Sequence, residues 1–369
     1  MKFVIITHVV HKQIKNNYFG YSPYIREMNR WLKYVGAVKI VAPLDIDYAS
    51  RITATYHHDQ LEFERVSQIS LLSILDVLKT FFKLPVICFK IWKSMRWADH
   101  IHLRCPGNLG LLGSVIQVFF PSKTKTVKYA GNWDPNSDQP WSYKLQKWIL
   151  SNTFLSKNIK VLVYGEWAGQ TKNILPFFTA SFSEKDIEFI DKDFSNNLNF
   201  LFVGSLMEGK QPIYAIRLVE ELKASGKNVC LKIFGEGPLQ SDLENYIELN
   251  NIKDFIKICG GISLIELKEE YKKSQFSILA SKSEGWPKAV AEAMFFGCIP
   301  IATKVSCVPW MLGNGDRGIL LSEKLDKDRN TILEILDNTR QLKITSRNAM
   351  EWSQYYTLEY FEKEIAKLL

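Results

Sequence analysis

The most informative stretch of the chain runs Ser283-Glu284-Gly285-Trp286-Pro287-Lys288-Ala289-Val290-Ala291-Glu292-Ala293-Met294. It sets two carboxylates, Glu284 and Glu292, eight positions apart. The apolar run 276–280 before it predicts a buried strand. Residues 288–296 predict a helix with Pro287 at or near its first position, where the missing amide hydrogen of proline costs nothing. Glu284 is thus expected at the carboxyl end of a strand, where open α/β sheets bind ligands.

This junction has the chemistry to hold a phosphorylated sugar. The start of the helix offers amide hydrogens and a positive dipole to phosphate. One carboxylate is suited to sugar hydroxyls and the other to the two hydroxyls of a ribose. The spacing alone also suits a solvated loop glutamate and a helix glutamate paired with Lys288, four positions before Glu292.

The flanking pattern is more specific than the spacing. The motifs Ser-x-x-Glu-Gly and Glu-Ala-Met-x-x-Gly-x-Pro-Ile-Ala-Thr surround the two glutamates, and the segment resembles the group 1 (family-4) retaining glycosyltransferases. The resemblance implies an α/β protein of the GT-B fold, with two Rossmann-like domains facing across a cleft and a C-terminal helix crossing back to the first domain. It also implies a nucleotide diphosphate sugar, UDP- or GDP-linked, as donor, and neither cofactor nor metal.

Length and composition are consistent with two globular domains. The chain has 369 residues, of which 46% are hydrophobic and 23% charged, and a chain of this length usually divides into two cores. No apolar run reaches the roughly 18–20 residues that cross a bilayer. The six cysteines stand apart without a C-x-x-C pair. This favours reduced thiols in a cytoplasmic protein over a disulfide or zinc framework.

Positive charge is concentrated in the first half. Residues 1–190 hold 24 Lys and Arg against 14 Asp and Glu, whereas residues 191–369 hold 23 against 25. Nucleic acid, anionic lipid and phosphate all attract such a surface. We find no helix-turn-helix, zinc-finger or ribonucleoprotein signature, so nucleic acid is not expected as a partner.

Short apolar runs alternate with longer amphipathic ones, as in parallel sheets covered by helices. The predicted strands are 2–6, 38–42, 100–103, 126–130, 160–164, 199–203, 229–234, 255–259, 276–280 and 299–303. A charged, Ser/Asn-rich stretch at 181–199 predicts a boundary near residue 190. We expect an acceptor domain at 1–190, a nucleotide-sugar domain at 191–345 and a returning C-terminal helix at 346–369.

The second half opens with a strand followed by Gly204-Ser205 and, a few residues later, Lys210. A glycine lets the backbone approach a ligand, and a lysine at the next helix is a point charge for a diphosphate. The resembled family has Gly-Arg and then Lys-Gly here. Lys210 matches, and Ser205 replaces the arginine, which removes one bidentate phosphate contact.

Further strand ends carry glycine turns. Gly235 and Gly237 follow one strand, and Gly260 and Gly261 follow the next. In the resembled family such turns line the donor cleft and meet the nucleobase. Near the two glutamates, Lys288 is expected to compensate for the missing arginine. Trp286 is predicted either to stack on a sugar ring or to pack under its loop.

Candidate residues for the acceptor lie in the first half. Residues 16–23 predict a loop leading into a helix capped by Ser22, and Gly20 is what remains there of the family's glycine-rich loop. Arg104 follows one buried strand, and Asn132 and Asp134 follow another. Because Ala130 stands where the family often has a histidine, no acid–base role carries over to that position.

Two other features have competing interpretations. His100 and His102 alternate along one strand, which suits a metal site or packed imidazoles; no Cys or carboxylate completes a ligand set, so we expect packing. Residues 71–97 mix large apolar groups with Lys79, Lys83, Lys90, Lys93 and Arg96. They predict a helix pair, either on an anionic membrane surface or as core helices with a basic outer face.

We therefore expect a metal-independent retaining glycosyltransferase of bacterial cell-surface polysaccharide or glycolipid synthesis, acting on a glycan or lipid-linked acceptor at the cytoplasmic face of a membrane. Glu284 would orient the sugar, Glu292 the ribose, and Lys210 would assist departure of the diphosphate. A nucleotide-sugar epimerase of similar architecture would share the cleft but needs acid–base groups on both sides. A non-catalytic sugar-binding protein would never release nucleotide.

Overall fold

The computed structural model describes residues 1–45, 53–69 and 74–369, with the backbone alone for residues 74–81. The chain forms two compact units. The first comprises Met1–Phe178 together with Phe361–Leu369, and the second comprises Thr179–Tyr360. The predicted boundary near residue 190 lies inside the second unit.

The first unit is built on a parallel sheet. Its strands in chain order are β1 (Lys2–Ile6), β2 (Lys12–Ile14), β3 (Asn17–Tyr21), β4 (Ala37–Pro43), β5 (Thr53–Thr55), β6 (Leu61–Val66), β7 (His100–Cys105), β8 (Thr124–Tyr129), β9 (Ile159–Tyr164) and β10 (Ile174–Phe177). Seven of them pair in the order β10-β9-β8-β7-β1-β4-β6. Each predicted strand of this half is present, because a strand buried on both faces has a continuous apolar run.

The remaining three strands, β2, β3 and β5, form a small antiparallel sheet. The prediction of a loop over residues 16–23 is therefore wrong, since Asn17–Tyr21 is a strand. Ser22 is also not a cap. Helix α1 (Ser22–Leu32) takes Tyr21 as its N-cap residue, without a side-chain hydrogen bond. Thr55 supplies a tie between these strands, as its hydroxyl donates to the carbonyl of Tyr18.

Three further helices of the first unit are α2 (Ile74–Trp97), α3 (Asn108–Ile116) and α4 (Trp141–Ser151). The predicted helix pair over residues 71–97 is in fact the single helix α2, which contains Pro85. Residues 71–73 and the side chain of Lys79, which belonged to that prediction, lie outside the described residues. The inner face of α2 carries Ile87, Ile91 and Met95, which are buried in the core of the unit.

His100 and His102 are packed residues, as expected. Both imidazoles hydrogen-bond the hydroxyl of Thr126 at 2.9 Å. Their rings lie against Phe3, and that of His102 also lies 4.6 Å from the ring of Trp31. Burial lowers the pKa of His100 to about 4 and takes that of His102 well below its usual value. Both rings are therefore neutral members of the core.

The second unit is a parallel sheet of six strands: β11 (Leu198–Val203), β12 (Val229–Phe234), β13 (Ile256–Gly260), β14 (Phe276–Leu279), β15 (Ile299–Thr303) and β16 (Ile319–Leu321). They pair in the order β13-β12-β11-β14-β15-β16. The chain moves outward from β11 in one direction and then, with β14, starts again on its other side. This reversal of strand order between β11 and β14 is the place where doubly wound sheets bind ligands.

The helices that cover this sheet are α5 (Pro212–Ala224), α6 (Gln240–Leu249), α7 (Leu264–Lys273), α8 (Lys288–Phe295), α9 (Val308–Met311), α10 (Leu325–Leu336) and α11 (Thr339–Gln354). The last helix, α12 (Leu358–Ala366), follows a break after α11. The C-terminal segment is thus two helices rather than one. Of this segment, residues 361–369 are grouped with the first unit.

The predicted class, an α/β protein with two parallel-sheet domains, is confirmed. Among the described residues, no helix combines the length and the apolar character that crossing a bilayer requires. All six cysteines fall within the described residues and are free. The same part of the chain contains no cluster of three or more His, Cys, Asp or Glu placed to hold a metal ion.

Candidate active site

The loops after β11 and β14 meet at the strand-order reversal of the second unit. The first loop ends in a short 3-10 turn, Glu208–Lys210, before α5 begins. The second runs from Ala280 to Pro287, the N-cap residue of α8. A backbone hydrogen bond of 2.9 Å from the amide of Lys282 to the carbonyl of Gly209 joins the two loops. Residues far apart in the chain are thereby held at one edge of the sheet.

Lys210 and Glu284, both predicted site residues, form an ion pair across this reversal. The Lys210 Nζ lies 2.5 Å from the Glu284 Oε1. The carboxylate side chain is 8% exposed and the lysine side chain 27% exposed. A carboxylate so little hydrated depends on its partner for stabilisation, so the pair fixes both loops.

Glu292, the second glutamate, lies on α8 and accepts two side-chain hydrogen bonds. The Ser181 hydroxyl donates to its Oε1 at 2.5 Å, and the Tyr271 hydroxyl donates to its Oε2 at 3.3 Å. Burial raises the pKa of Glu292, while the bond from Ser181, the charge of Lys288 and the bond from Tyr271 act in the opposite direction. The carboxylate is therefore oriented on both oxygens in a poorly hydrated place.

The contacts of Ser181 and Tyr271 with Glu292 were not predicted from the sequence. Tyr271 is on the buried face of α7, and Ser181 is in the segment before the first strand of the unit. Neither residue is near Glu292 in the chain, and no motif marks them. A shallow pocket beside Glu292 is lined by Ser181, Lys288, Trp286, Thr179 and Tyr356, among others.

Lys288 is the first residue of α8, as predicted, and the N-cap residue Pro287 makes no side-chain capping bond. A helix start has positive character because its leading amide hydrogens lack intrahelical carbonyl partners, and in α8 the first amide that donates to the Pro287 carbonyl is that of Val290, at 3.0 Å. Lys288 adds a full charge at the same place. Phosphate is the chemical group that such a helix start favours.

The loops after neighbouring strands lie so close together that their turns need glycine. A Cβ on Gly235, whose φ is +148°, would lie 1.8 Å from the carbonyl oxygen of Gly204, and a Cβ on Gly237 would lie 2.3 Å from that of Leu206. Backbone hydrogen bonds from Gly204 to Phe234 and from Leu206 to Glu236, both 3.0 Å, close this contact. The turns after β11 and β12 therefore pack against each other without side chains between them.

The third glycine turn, at the end of β13, lies beside the turn after β12. The amide of Gly235 donates to the carbonyl of Gly260 at 2.8 Å, and Gly260 itself has a φ of +73°. The next residue, Gly261, faces the carboxylate of Glu236. Ser205, at the arginine position of the resembled family, is exposed. The predicted donor residues of the three turns thus share one edge of the sheet.

Trp286 belongs to an aromatic cluster. Its ring centroid lies 6.2 Å from that of Trp310, 6.1 Å from that of Trp352 and 5.7 Å from that of Tyr356. Only 7% of the residue is exposed. Of the two predicted roles, the structure favours packing under the loop, which holds Glu284 and Pro287 in position.

Three acceptor-side candidates, Arg104, Asn132 and Asp134, lie at the carboxyl edge of the parallel sheet in the first unit, whereas Gly20 lies in the small antiparallel sheet. Arg104, at the end of β7, lies 3.6 Å from Glu27 and has its guanidinium over the ring of Tyr24. Gly20 is buried in β3, where a Cβ would lie 3.1 Å from both His11 and Ile25. Its lack of a side chain is explained by this packing.

Asn132 and Asp134 shape the turn after β8. The Asn132 Oδ1 accepts from the amide of Asp134 at 2.9 Å, and the Asp134 Oδ1 accepts from the amide of Asn136 at 2.8 Å. Both side chains are half-buried. These local bonds define the loop, and they leave each side chain with further hydrogen-bonding capacity.

Part of the second unit is similar in sequence to known glycosyltransferases. Residues 184–352 match the family model "Glycosyl transferases group 1", and this segment contains Lys210, Glu284 and Glu292. An uncharacterized glycosyltransferase of Methanocaldococcus jannaschii is 27% identical over 160 residues, 43% of this chain and 44% of that protein. The putative colanic acid biosynthesis glycosyltransferase WcaL of Salmonella typhimurium is 30% identical over 34% of this chain and 32% of its own. Each match spans less than half of either protein.

Solved structures match over the whole chain and establish the GT-B fold. A sucrose-phosphate synthase from Thermosynechococcus elongatus has a TM-score of 0.67 at 18% identity, covering 100% of this chain and 98% of its own. Anabaena HepE in complex with UDP has a TM-score of 0.67 at 14% identity, covering 100% and 99%. A glycosyltransferase from Rickettsia africae has a TM-score of 0.65 at 12% identity, covering 100% and 97%.

Proposed function

We propose that this protein is a retaining glycosyltransferase. It moves a sugar from a UDP- or GDP-linked donor to a hydroxyl of a glycan or lipid-linked acceptor. The observation that carries the proposal is the Lys210–Glu284 ion pair at the strand-order reversal of the second unit, within the segment that matches the group 1 glycosyltransferases. A lysine and a carboxylate at this position suit a diphosphate and a sugar respectively.

The donor is held at three points. Lys210 and Lys288, with the first amides of α8, bind the diphosphate. Glu284, released from Lys210 by the incoming phosphates, accepts hydrogen bonds from the sugar hydroxyls. Glu292 accepts from the ribose hydroxyls, and the glycine turns at 204, 235 and 260 lie beside the base. UDP bound to HepE, a protein of the same fold, supports a nucleotide diphosphate as ligand.

The chemical step exchanges one bond at the anomeric carbon. The bond from that carbon to the diphosphate oxygen breaks while a bond to the acceptor oxygen forms on the same face. The acceptor proton passes to the departing diphosphate oxygen. Negative charge grows on the diphosphate as the first bond breaks, and Lys210, Lys288 and the dipole of α8 stabilise that charge. No nucleophile from the protein is assigned.

The acceptor side belongs to the first unit, with Gly20, Arg104, Asn132 and Asp134 as its proposed residues. WcaL is named for colanic acid biosynthesis, which supports cell-surface polysaccharide synthesis as the setting. Such an enzyme would work in the cytoplasm at the inner face of the membrane, and the basic residues of α2 would contact that surface.

The test is a screen for nucleotide release from UDP- and GDP-sugars, with and without glycan acceptors. We expect release of one nucleotide that depends on an acceptor, and product whose anomeric configuration matches the donor. Conversion of the donor to another nucleotide sugar without acceptor would identify an epimerase. Binding of donor without any release would identify a sugar-binding protein.

Variants locate the activity in the proposed site. Glu284→Gln and Lys210→Met should each lower kcat by at least about tenfold, since each removes a charge that acts on the transition state. Glu351→Gln is a matched control, because Glu351 is an exposed helix glutamate paired with Arg347. If the control variant lost as much activity as Glu284→Gln, the assigned site would be wrong.

A further inference from the structure

The parallel sheet of the first unit has a strand-order reversal of its own. Beside β1, the chain first adds β4 and β6 on one side and later adds β7, β8, β9 and β10 on the other side. In doubly wound sheets the loops at such a reversal border a crevice that binds ligands. The loops that follow β1 and β7 are therefore the place in the first unit where a ligand is expected.

Arg104, in the last turn of chain before β7 ends, has an incompletely paired guanidinium. Only 16% of its side chain is exposed, and its Nη1 is buried without a hydrogen-bond partner among the described residues. The carboxylate beside it belongs to Glu27, whose Oε1 lies 3.6 Å from Nη1, which is too long for a hydrogen bond. Buried polar groups nearly always have a partner in native proteins, so this donor points to a ligand.

The surroundings of Arg104 hold it at the reversal. Its guanidinium carbon lies 5.4 Å from the centre of the Tyr24 ring, a contact that favours the charged group over the ring face. From the loop after β1, His8 packs against the loop after β7, since a Cβ on Gly107 would lie 2.8 Å from the His8 Nδ1. Gly107 is the N-cap residue of α3 and has no side chain to cap it. His8 and Arg104 therefore flank the start of α3.

Charge at this place favours an anion. Without a hydrogen bond between Oε1 and Nη1, Glu27 compensates the charge of Arg104 only in part. That charge also reaches the imidazoles nearby: burial is the main cause of the lowered pKa of His8 and of His102, and the charge of Arg104 lowers both further. Hydrogen bonds from a guanidinium to a carboxylate or phosphate are about twice as strong as bonds between neutral groups. The missing partner of Arg104 is thus best supplied by a charged oxygen.

We propose that Arg104 binds an anionic group, a phosphate or a carboxylate, on the acceptor sugar. The inference rests on the proposed function, which assigns the acceptor to the first unit, and it goes further by giving that acceptor a negative charge. A planar guanidinium presents paired N–H groups, and phosphate and carboxylate oxygens accept from such a pair. A neutral hydroxyl can accept one hydrogen bond, but it leaves the remaining positive charge uncompensated.

The experiment measures binding without turnover. The melting temperature of the full chain is followed as methyl glucoside, glucose 6-phosphate or glucuronate is added at matched ionic strength, which gives an apparent Kd for each sugar. We expect at least one charged sugar to bind at least about tenfold more tightly than methyl glucoside, the gain of one charged hydrogen-bonding group. Tight binding of glucose 6-phosphate alone would identify a phosphate as the recognised group, and tight binding of glucuronate alone would identify a carboxylate.

Variants assign the preference to Arg104. Arg104→Met should abolish it, and Arg104→Lys should retain only part of it, because an ammonium lacks the paired N–H groups. Lys210→Met is the control, since it removes a cation from the proposed donor residues and should leave the preference intact. Glu27→Gln removes the carboxylate that competes for Arg104, so it should tighten binding of the charged sugar by at least about twofold. A purely structural ion pair predicts the opposite, a weaker preference in Glu27→Gln.

Several results would overturn the proposal. These are binding of none of the three sugars, equal binding of charged and neutral sugars, and a preference that survives in Arg104→Met or is lost in Lys210→Met. If Arg104→Met did not fold, Glu27→Gln would decide by the direction of its effect. The screen for nucleotide release fails separately: release with neutral acceptors alone would keep the reaction and refute the charged acceptor, whereas binding of a charged sugar without any release would keep the anion site and refute the reaction.

Discussion

Lys210 and Glu284 lie 74 positions apart in the chain, and their side chains meet at 2.5 Å. Each lies in a loop that follows one of the two strands where the order of the sheet reverses. The ion pair compensates both charges at a place where the Glu284 side chain is only 8% exposed. In the reaction proposed above, the phosphates of the donor take the place of Glu284 beside Lys210, and the sugar hydroxyls take the place of Lys210 beside Glu284.

The first prediction concerns the coupling between these two residues. Lys210→Met leaves the nearly buried Glu284 carboxylate without its cation and should lower the free energy of unfolding by about 1–3 kcal/mol. The double variant Lys210→Met/Glu284→Gln should recover at least half of that loss. Urea denaturation of the single and double variants measures the coupling. Additive effects would show that the pair contributes nothing to stability.

The second prediction concerns Glu292. Glu292→Ala should weaken donor binding by about 10–100-fold, which corresponds to the loss of roughly 1.5–3 kcal/mol of charged hydrogen bonding. Isothermal titration with the cognate nucleotide measures this loss, and the melting temperature serves to check the fold. Near-normal affinity in a folded variant would remove Glu292 from the donor site.

The third prediction assigns positioning roles to Ser181 and Tyr271. Both hydroxyls donate to the Glu292 carboxylate and so lower its pKa, whereas burial raises it. Donor binding that needs the ionised carboxylate should weaken as the pH falls through this raised pKa. In Ser181→Ala and Tyr271→Phe the fall should begin at higher pH, with KM for the donor raised about threefold to tenfold at neutral pH. If the pH profiles of KM were unchanged, neither residue would have a positioning role toward Glu292.

The fourth prediction concerns the glycine turns. Gly235→Ala would drive a Cβ into the Gly204 carbonyl at a φ that side chains rarely adopt, and it should cost more than about 3 kcal/mol of stability or prevent folding. Gly209→Ala is the matched control, because nothing lies within 4 Å of its Cβ position. The control should change stability by less than about 0.5 kcal/mol. Equal effects in denaturation would contradict the loop packing.

The fifth prediction follows from the buried histidines. His100 and His102 are neutral in the folded state with lowered pKa values, about 4 for His100, whereas in the unfolded chain they titrate near 6.5. The unfolded chain therefore binds more protons below that pH. The two rings should leave the free energy of unfolding unaffected above about pH 6.5. Below that pH they should lower it, by up to ~1.4 kcal/mol per pH unit for each ring. His100→Gln/His102→Gln should flatten this slope in denaturation at several pH values. An unchanged slope would exclude these rings as its source.

The sequence predicts the central strands well because their apolar runs are continuous. It misses β6, β10 and β16, which lie at the edges of the two parallel sheets, whereas the fourth edge strand, β13, is among the predicted ones. An edge strand is short or partly solvated, and β6 alternates apolar residues with Glu62, Glu64 and Arg65. The antiparallel strand at Asn17–Tyr21 resembles a loop in the sequence, because its Asn, Gly and Tyr residues lack a buried run.

Some residues of the candidate site could be predicted from the sequence and others could not. Lys210 and Glu284 are predictable because each lies in the loop that follows a strand, and parallel strands end at one edge. Ser181 and Tyr271 are not, since their contact with Glu292 depends on how α7 and the segment before β11 pack against α8. Trp286 could not be assigned from the sequence either, because a buried and a sugar-stacking tryptophan look alike until Trp310, Trp352 and Tyr356 are placed around it.

The packing of Phe361 against the first unit affects the order in which the two units can fold during synthesis. Its ring lies against Phe177 and Phe178, and the Lys128 ammonium lies 5.6 Å from it. This corner of the first unit therefore stays open while the ribosome translates everything between residues 179 and 360. The second unit is continuous in the chain and can mature during that time. The first unit therefore completes its core only after the second unit has been synthesised, although residues 1–178 are synthesised first.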